Sequence, residues 1–236
     1  FEVIWSPIIA ASSGSLNQNQ EREAALKILT SAIEVSARFY MEKESLLCVS
    51  ALCTFTHLQP WAPLQVQNIR AIRELLELTN SFTTFFEPVW EKILTLLASI
   101  NSFLVLHSSS HVIDPAKSEI VHRNAEIINE YIPLSAIENL FESSTKFPSS
   151  SIVPFVSALC TVSHNEFLQR PPLSFCMQRI VEVTAFNMDR ERFVWQQMWK
   201  PISEHLIEAG CLPDESIARC AIDSLRQLAG KFLAKD

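Results

Sequence analysis

The sequence predicts an all-α fold, on three observations. Apolar residues recur at helical spacing along almost all of the 236 residues, with no alternating strand pattern in competition. Only 3 Gly stand beside 12 Pro, too few for the positive-φ positions that tight hairpins and phosphate-cradling loops need. A set of helical markers also returns later in the chain in the same order. Hydrophobic residues make up 48% and charged residues 19%, enough apolar side chain for a core and too little charge for disorder.

About ten helices with short connections are expected, over 1–13, 19–39, 43–56, 64–80, 86–106, 117–130, 134–145, 150–168, 174–188, 193–209 and 214–234. Ala25, Ile28, Leu29, Ala32, Ile33 and Val35 form the stripe of the second. Pro60 and Pro63 break the chain before the stripe of Ile69, Ile72, Leu75 and Leu76. The stretch from Ile93 to Leu106 carries no charge, but its 14 residues fall short of a bilayer's thickness and Asn101 and Ser102 interrupt it. It reads as a buried core helix, with membrane insertion as the alternative. Residues 107–118 are polar and serine-rich and read as a mobile loop, and 143–151 form a second polar connection. Ile180, Val183, Thr184 and Phe186 form a third stripe. Gly210 fits the left-handed position that ends a helix, and Pro213, Asp214 and Glu215 fit the start of the next, with proline near its first position. The last helix lines up Ile217, Ala221, Leu225, Leu228 and Phe232 on one face, while Arg219, Arg226, Lys231 and Lys235 give its polar side a basic bias. Such a helix caps a helical stack or lies on a membrane surface.

Six cysteines without a C-x-x-C pair read as reduced, mostly buried thiols of a cytosolic protein. No signal peptide is visible, and the opening Phe1 without an initiator Met reads as the start of a piece excised from a longer protein. The net charge of −7 argues against a general nucleic-acid binder.

Val49-Ser50-Ala51-Leu52-Cys53-Thr54-Phe55-Thr56-His57 recurs as Val156-Ser157-Ala158-Leu159-Cys160-Thr161-Val162-Ser163-His164, 107 residues on. Upstream, Ser31-Ala32-Ile33-Glu34 returns as Ser135-Ala136-Ile137-Glu138. A third marker reads Phe1/Trp5/Ile8, Phe86/Trp90/Ile93 and Trp195/Trp199/Ile202. Units of this kind bury their apolar faces only by stacking, which gives an α-solenoid of HEAT/armadillo-like helical repeats. All five Trp are expected to be largely buried, with Trp5, Trp90 and Trp199 in equivalent places.

Catalytic chemistry is hard to place on this chain. No G-x-S-x-G, Walker loop or H-E-x-x-H occurs. His57 and His164 sit near helix ends, and His107 and His111 bracket three serines; neither pair carries the convergent spacing of a metal site. No metal or other cofactor is expected. The link Asn187-Met188-Asp189-Arg190-Glu191-Arg192 joins two repeat helices. It reads either as a loop whose Asn and Arg cap helix ends, or as an exposed contact for a protein or an anionic head group.

The motifs Asn187-Met188-x-Arg190-x-Arg192-x-x-Trp195-x-x-x-Trp199, Gly210-Cys211-x-Pro213, Ala221-Ile222-Asp223-Ser224-Leu225-Arg226-Gln227-Leu228 and Lys231-Phe232-Leu233 resemble the region after the catalytic domain of large Arf guanine-nucleotide exchange factors of the Sec7/BIG type. Phe1-x-x-x-Trp5-x-Pro7 and Phe155-Val156-x-x-Leu159-Cys160-x-Val162-Ser163 are similar to the same region, while 57–149 departs from it and looks shortened.

The resemblance implies a single domain over 1–236, the first homology-downstream-of-Sec7 domain, with the polar loop near 107–118 inside it. It implies a non-catalytic regulatory and recruitment module, since nothing here matches the family's separate exchange domain. The implied partners are a GTP-loaded Arf-family small GTPase, anionic Golgi membrane lipids and neighbouring domains of the parent, with no nucleic acid. The implied place is cytoplasmic, peripheral on the Golgi and in particular the trans-Golgi. Asn187, Arg190, Arg192, Arg219, Arg226, Lys231 and Lys235 are the candidate partner- or lipid-binding residues. The alternative function is a helical scaffold segment that makes only intramolecular or dimer contacts within its parent.

Overall fold

Helical periodicity is realised in a computed structural model that describes residues 19–56, 58, 62–81, 89–108, 115–169 and 172–234. Among the described residues there are ten α-helices and no strand. They are α1 (Asn19–Arg38), α2 (Glu42–Thr56), α3 (Val66–Ser81), α4 (Trp90–Ser108), α5 (Pro115–Tyr131), α6 (Leu134–Glu142), α7 (Ser149–Phe167), α8 (Phe175–Phe186), α9 (Arg192–Gly210) and α10 (Glu215–Leu233). The expected helices from 19 onward are all present with closely matching ends. The helix expected over 1–13 lies outside the described residues.

The chain divides into two compact units, between Ile137 and Glu138. In the first, α1 packs on α2 and α3, α2 packs on α3 and α4, and α4 packs on α5. The uncharged stretch is the buried heart of α4: Ile93, Leu94, Leu97, Ile100 and Phe103 are each at most 1% exposed. No described helix is long and apolar enough to cross a membrane. Burying one such side chain contributes about 1.5–3 kcal/mol, so this helix anchors the unit.

Helix α1 ends in a Schellman motif. Met41 N–H donates to Ser36 C=O (2.9 Å) and Tyr40 N–H to Ala37 C=O (3.4 Å), with Tyr40 at φ 56°. Two buried amides hold the connection to α3. Asn124 accepts from Leu64 N–H and donates to Ala62 C=O, both at 2.9 Å. Asn68 accepts from Gln65 N–H and donates to Phe55 C=O, again both at 2.9 Å.

In the second unit α7 packs on α8 and α9, and both of these pack on α10. A 3₁₀ turn, Ser143–Lys146, takes the place of the last helical residues expected after α6. Phe141 meets Phe155 and Phe175 at centroid distances of 6.3 and 6.2 Å, and the Arg179 guanidinium lies 5.2 Å from the rings of both Phe141 and Phe175. Helix α8 starts on a buried carboxylate: Glu166 Oε2 accepts from Cys176 N–H at 2.7 Å, where the side chain of the N-cap Ser174 makes no capping bond. Between α7 and α9, His205 Nε2 lies 3.0 Å from Ser163 Oγ and its ring stacks on Phe167 at 5.5 Å.

The repeated segments have matching environments in their own units. Leu52 and Leu159 are both 0% exposed, and Ala51 and Ala158 are both 7% exposed. Thr54 Oγ1 donates to Ser50 C=O at 3.0 Å, and Thr161 Oγ1 to Ser157 C=O at 3.1 Å. Ile33 and Ile137, both within the first unit, are buried alike, each followed by an exposed Glu.

Four expectations need correction. Gly210 is the last residue of α9, and the cap is Cys211 at φ −96°, whose N–H bonds back to Ile207 and Glu208; no left-handed residue is needed there. Pro213 lies one residue before the N-cap of α10, because Asp214 takes the cap: its Oδ1 accepts from Ser216 N–H (2.9 Å) and Ile217 N–H (3.2 Å). The polar loop near 107–118 is shorter than expected, since α4 continues to Ser108 and α5 starts at Pro115, a residue suited to a first turn. Trp90 is fully buried, but Trp195 and Trp199 are only half-buried, and Trp5 and Trp61 lie outside the described residues. The six cysteines are unbridged, with Cys48, Cys160 and Cys176 buried and Cys211 exposed.

Candidate functional site

The 187–192 link is built from the end of α8. Asn187 N–H closes the helix on Val183 and Thr184 carbonyls, and the side chain then turns inward. Its Nδ2 donates to Val183 C=O (2.8 Å) and to Ser144 Oγ (2.9 Å), and its Oδ1 accepts from Arg190 Nε (2.6 Å). Asn187 is 1% exposed. Arg190 Nη2 donates to the carbonyls of Ser144 (2.8 Å), Thr145 (3.1 Å) and Phe147 (2.8 Å). These carbonyls close the 3₁₀ turn, where a cation is favourable, and Ser144 C=O also accepts from Phe147 N–H at 3.1 Å. Burial lowers the Arg190 pKa from its ordinary value, yet a guanidinium stays charged. The structure thus gives Asn187 and Arg190 the helix-end capping role rather than an outward-facing one.

The other candidates face solvent. Arg192 opens α9, is exposed, and has no ion-pair partner among the described residues. Arg219 pairs with Glu215, and Arg226 with Asp223 at 3.1 Å, all on α10. Lys231 is exposed and borders a polar groove between α8 and α10, about 990 Å³ in volume, together with Glu182, Glu215, Arg219 and Asp223. Lys235 lies outside the described residues. Arg219 and Lys231 therefore share one groove, while Arg192 belongs to another part of the surface. Exposed ion pairs within one helix are worth only about 0.3–0.5 kcal/mol, so Arg219 and Arg226 can exchange their partners at little cost.

On the other side of α10, an apolar groove of about 420 Å³ separates it from α9. Trp195 and Trp199 stack there at 5.9 Å, Trp195 lies 6.3 Å from Phe232, and Leu225 and Leu228 line the α10 wall. Sequence spacing marks these tryptophans but places them in a core. Ser144, Asn124 and Glu166 carry no mark in the sequence, because their bonds reach residues 43, 60 and 10 positions away, beyond any local period. Among the described residues no group of three or more His, Cys, Asp or Glu is placed to hold a metal ion.

No protein-family model matches the chain. The chain is 27% identical over 276 residues to brefeldin A-inhibited guanine nucleotide-exchange protein 1 of Homo sapiens, a match covering 100% of this chain and 15% of that protein. The namesake from Arabidopsis thaliana is 27% identical over 292 residues, covering 100% of this chain and 17% of that protein. Brefeldin A-inhibited guanine nucleotide-exchange protein 3 of the same plant is 28% identical over 295 residues, again 100% of this chain and 17% of that protein. The chain thus spans only about a sixth of the length of these relatives, and their matching segments are longer than its 236 residues. Similarity along the entire chain, to proteins of an animal and of a plant, agrees with the resemblance read from its motifs: the chain is related to one segment of the large Arf guanine-nucleotide exchange factors.

Proposed function

We propose that residues 1–236 are the first homology-downstream-of-Sec7 domain of a large Arf exchange factor, a single α-solenoid domain that is non-catalytic. It recruits and regulates its parent in vesicle trafficking by binding GTP-loaded Arf-family GTPase, anionic Golgi lipid, or both. Its place is the cytoplasmic surface of the Golgi, in particular the trans-Golgi, and its further partners are neighbouring domains of the parent. The observation that carries this reading is a match to the whole chain that takes up only 15% of an exchange protein, leaving ample length for a catalytic domain elsewhere.

The surface chemistry supports the same reading. In a chain of net charge −7, the exposed faces of α9 and α10 carry Arg192, Arg219, Arg226 and Lys231. Each cation near an anionic leaflet contributes about 1 kcal/mol, weakened by salt. Asn187 and Arg190 contribute indirectly, by clamping the end of α8 to the 3₁₀ turn. Two measurements test the proposal. The full chain should fail to accelerate nucleotide exchange on Arf, and it should float with anionic vesicles in a manner weakened by salt or by replacing Arg192 and Lys231 with Glu. Exchange that scales with its concentration, or flotation indifferent to both salt and charge, would contradict it.

A further inference from the structure

We infer that the corner between α1 and α2 is a membrane-inserting tip that seats Phe39 and Tyr40 in the interface of a lipid leaflet. This goes beyond the cation contacts proposed for α9 and α10, because it uses other residues and another force. The connection runs only from Phe39 to Met41, between two helices that pack on each other. The two aromatic side chains therefore stand at the tip of a helical hairpin, 70% and 81% exposed. Val35, one turn before Phe39 on α1, is 51% exposed, and Leu47, in the second turn of α2, is 53% exposed. The backbone marks the same place. Tyr40 holds φ 56° at a Schellman position where glycine has no Cβ penalty, so the chain bears strain in setting an aromatic ring there. Strain of this kind gathers where a protein meets its ligands.

Area selects the class of occupant. A covered Phe or Tyr buries about 150–250 Å², and the half-exposed Val35 and Leu47 add less. A stable protein interface takes about 800 Å² from each partner, more than this corner offers. A leaflet sets no such minimum, because each apolar side chain that enters it adds to binding on its own. Aromatic rings favour the boundary between head groups and hydrocarbon, and a Tyr hydroxyl suits its wet side. Charge does not decide the contact: Glu34, Glu42 and Glu44 offset Arg38 and Lys43 in this stretch. Binding at the corner therefore comes from apolar insertion, requires no anionic lipid and withstands salt.

The test uses the full chain and vesicles of phosphatidylcholine alone, in about 1 M salt, where the Debye length is about 3 Å. The wild-type chain should float with these vesicles. Phe39→Ser with Tyr40→Gly should weaken that partition at least about tenfold, with a circular dichroism melt to check that the variant is folded. Phe39→Trp with Tyr40→Trp should bind at least as tightly as the wild type, and it keeps the test open if the first variant does not fold. Arg192→Glu with Lys231→Glu should leave partition into neutral vesicles unchanged, so the two lipid contacts are read separately. Three results overturn the inference: no partition of the folded wild-type chain, undiminished partition of the folded variant lacking both rings, or partition that needs anionic lipid and low salt. The last of these would support the cations of α9 and α10 alone, and the first would leave the corner to a protein partner.

Discussion

Arg190 Nε donates to Asn187 Oδ1 at 2.6 Å, and both side chains reach back to Ser144, more than 40 residues earlier in the chain. Two residues from one short link therefore serve as a clamp between the end of α8 and the 3₁₀ turn after α6. Arg192, two positions on, escapes the clamp and faces solvent. The difference separates fold from surface within a single motif.

Arg190→Lys keeps the charge but loses the planar guanidinium, whose Nε meets Asn187 Oδ1 while its Nη2 meets the three carbonyls. It should lower stability by about 1–3 kcal/mol, because charge-assisted bonds to part-buried carbonyls are lost. Arg192→Glu should stay within about 0.5 kcal/mol of the wild type. Urea unfolding of the two variants checks both, and equal losses would contradict the division of roles.

His205 sets an acid limit. Burial, with His164 nearby, lowers its pKa from 6.5 to about 4, and Glu208 partly offsets this. The folded chain holds the imidazole neutral, so its contribution is complete above pH 6.5 and falls as pH drops towards 4, where only the unfolded chain takes the proton. The loss across that window is about 3 kcal/mol. Burial raises the Glu166 pKa, which tilts stability the opposite way. The informative quantity is thus the difference from His205→Gln, whose melting temperature should vary less between pH 7 and pH 4.5, values of about neutral and mildly acid buffers.

Asn124 is 0% exposed and satisfies both Leu64 N–H and Ala62 C=O. Asn124→Leu should therefore cost about 2–4 kcal/mol, since two buried backbone groups lose their partner. Chemical denaturation measures it, and faster hydrogen exchange at Leu64 N–H should accompany it.

Tyr40 is 81% exposed and holds φ 56° at the position after the α1 cap, where glycine has no Cβ penalty. Tyr40→Gly should raise stability by about 0.5–1 kcal/mol despite glycine's freer unfolded chain. A lower melting temperature would show that the Tyr40 ring contributes more than the strain takes away.

Helices were legible because the apolar period and the prolines are local signals. The repeat was legible for the same reason, and the paired environments of Leu52 with Leu159 and Thr54 with Thr161 follow from it. Trp90 and Trp199 carry the same marker yet differ in burial, because burial depends on what packs from outside the helix. Spacing alone could not separate Arg190, held inside the link, from Arg192, which faces solvent. That separation depends on Ser144, which only the tertiary fold brings near. Glu166 has no local signature because its bond to Cys176 spans a connecting segment with no period to read.

The central claim is that this segment senses the activated state of a small GTPase without acting on it. The direct measurement is the affinity of the full chain for Arf loaded with GTP against Arf loaded with GDP, at one salt concentration. The account predicts a preference for the GTP form of about 5–150-fold, the range that a coupling of 1–3 kcal/mol supplies. Equal affinity for the two forms, or no binding to either by a folded chain, would contradict it and leave a scaffold segment that contacts only its own parent.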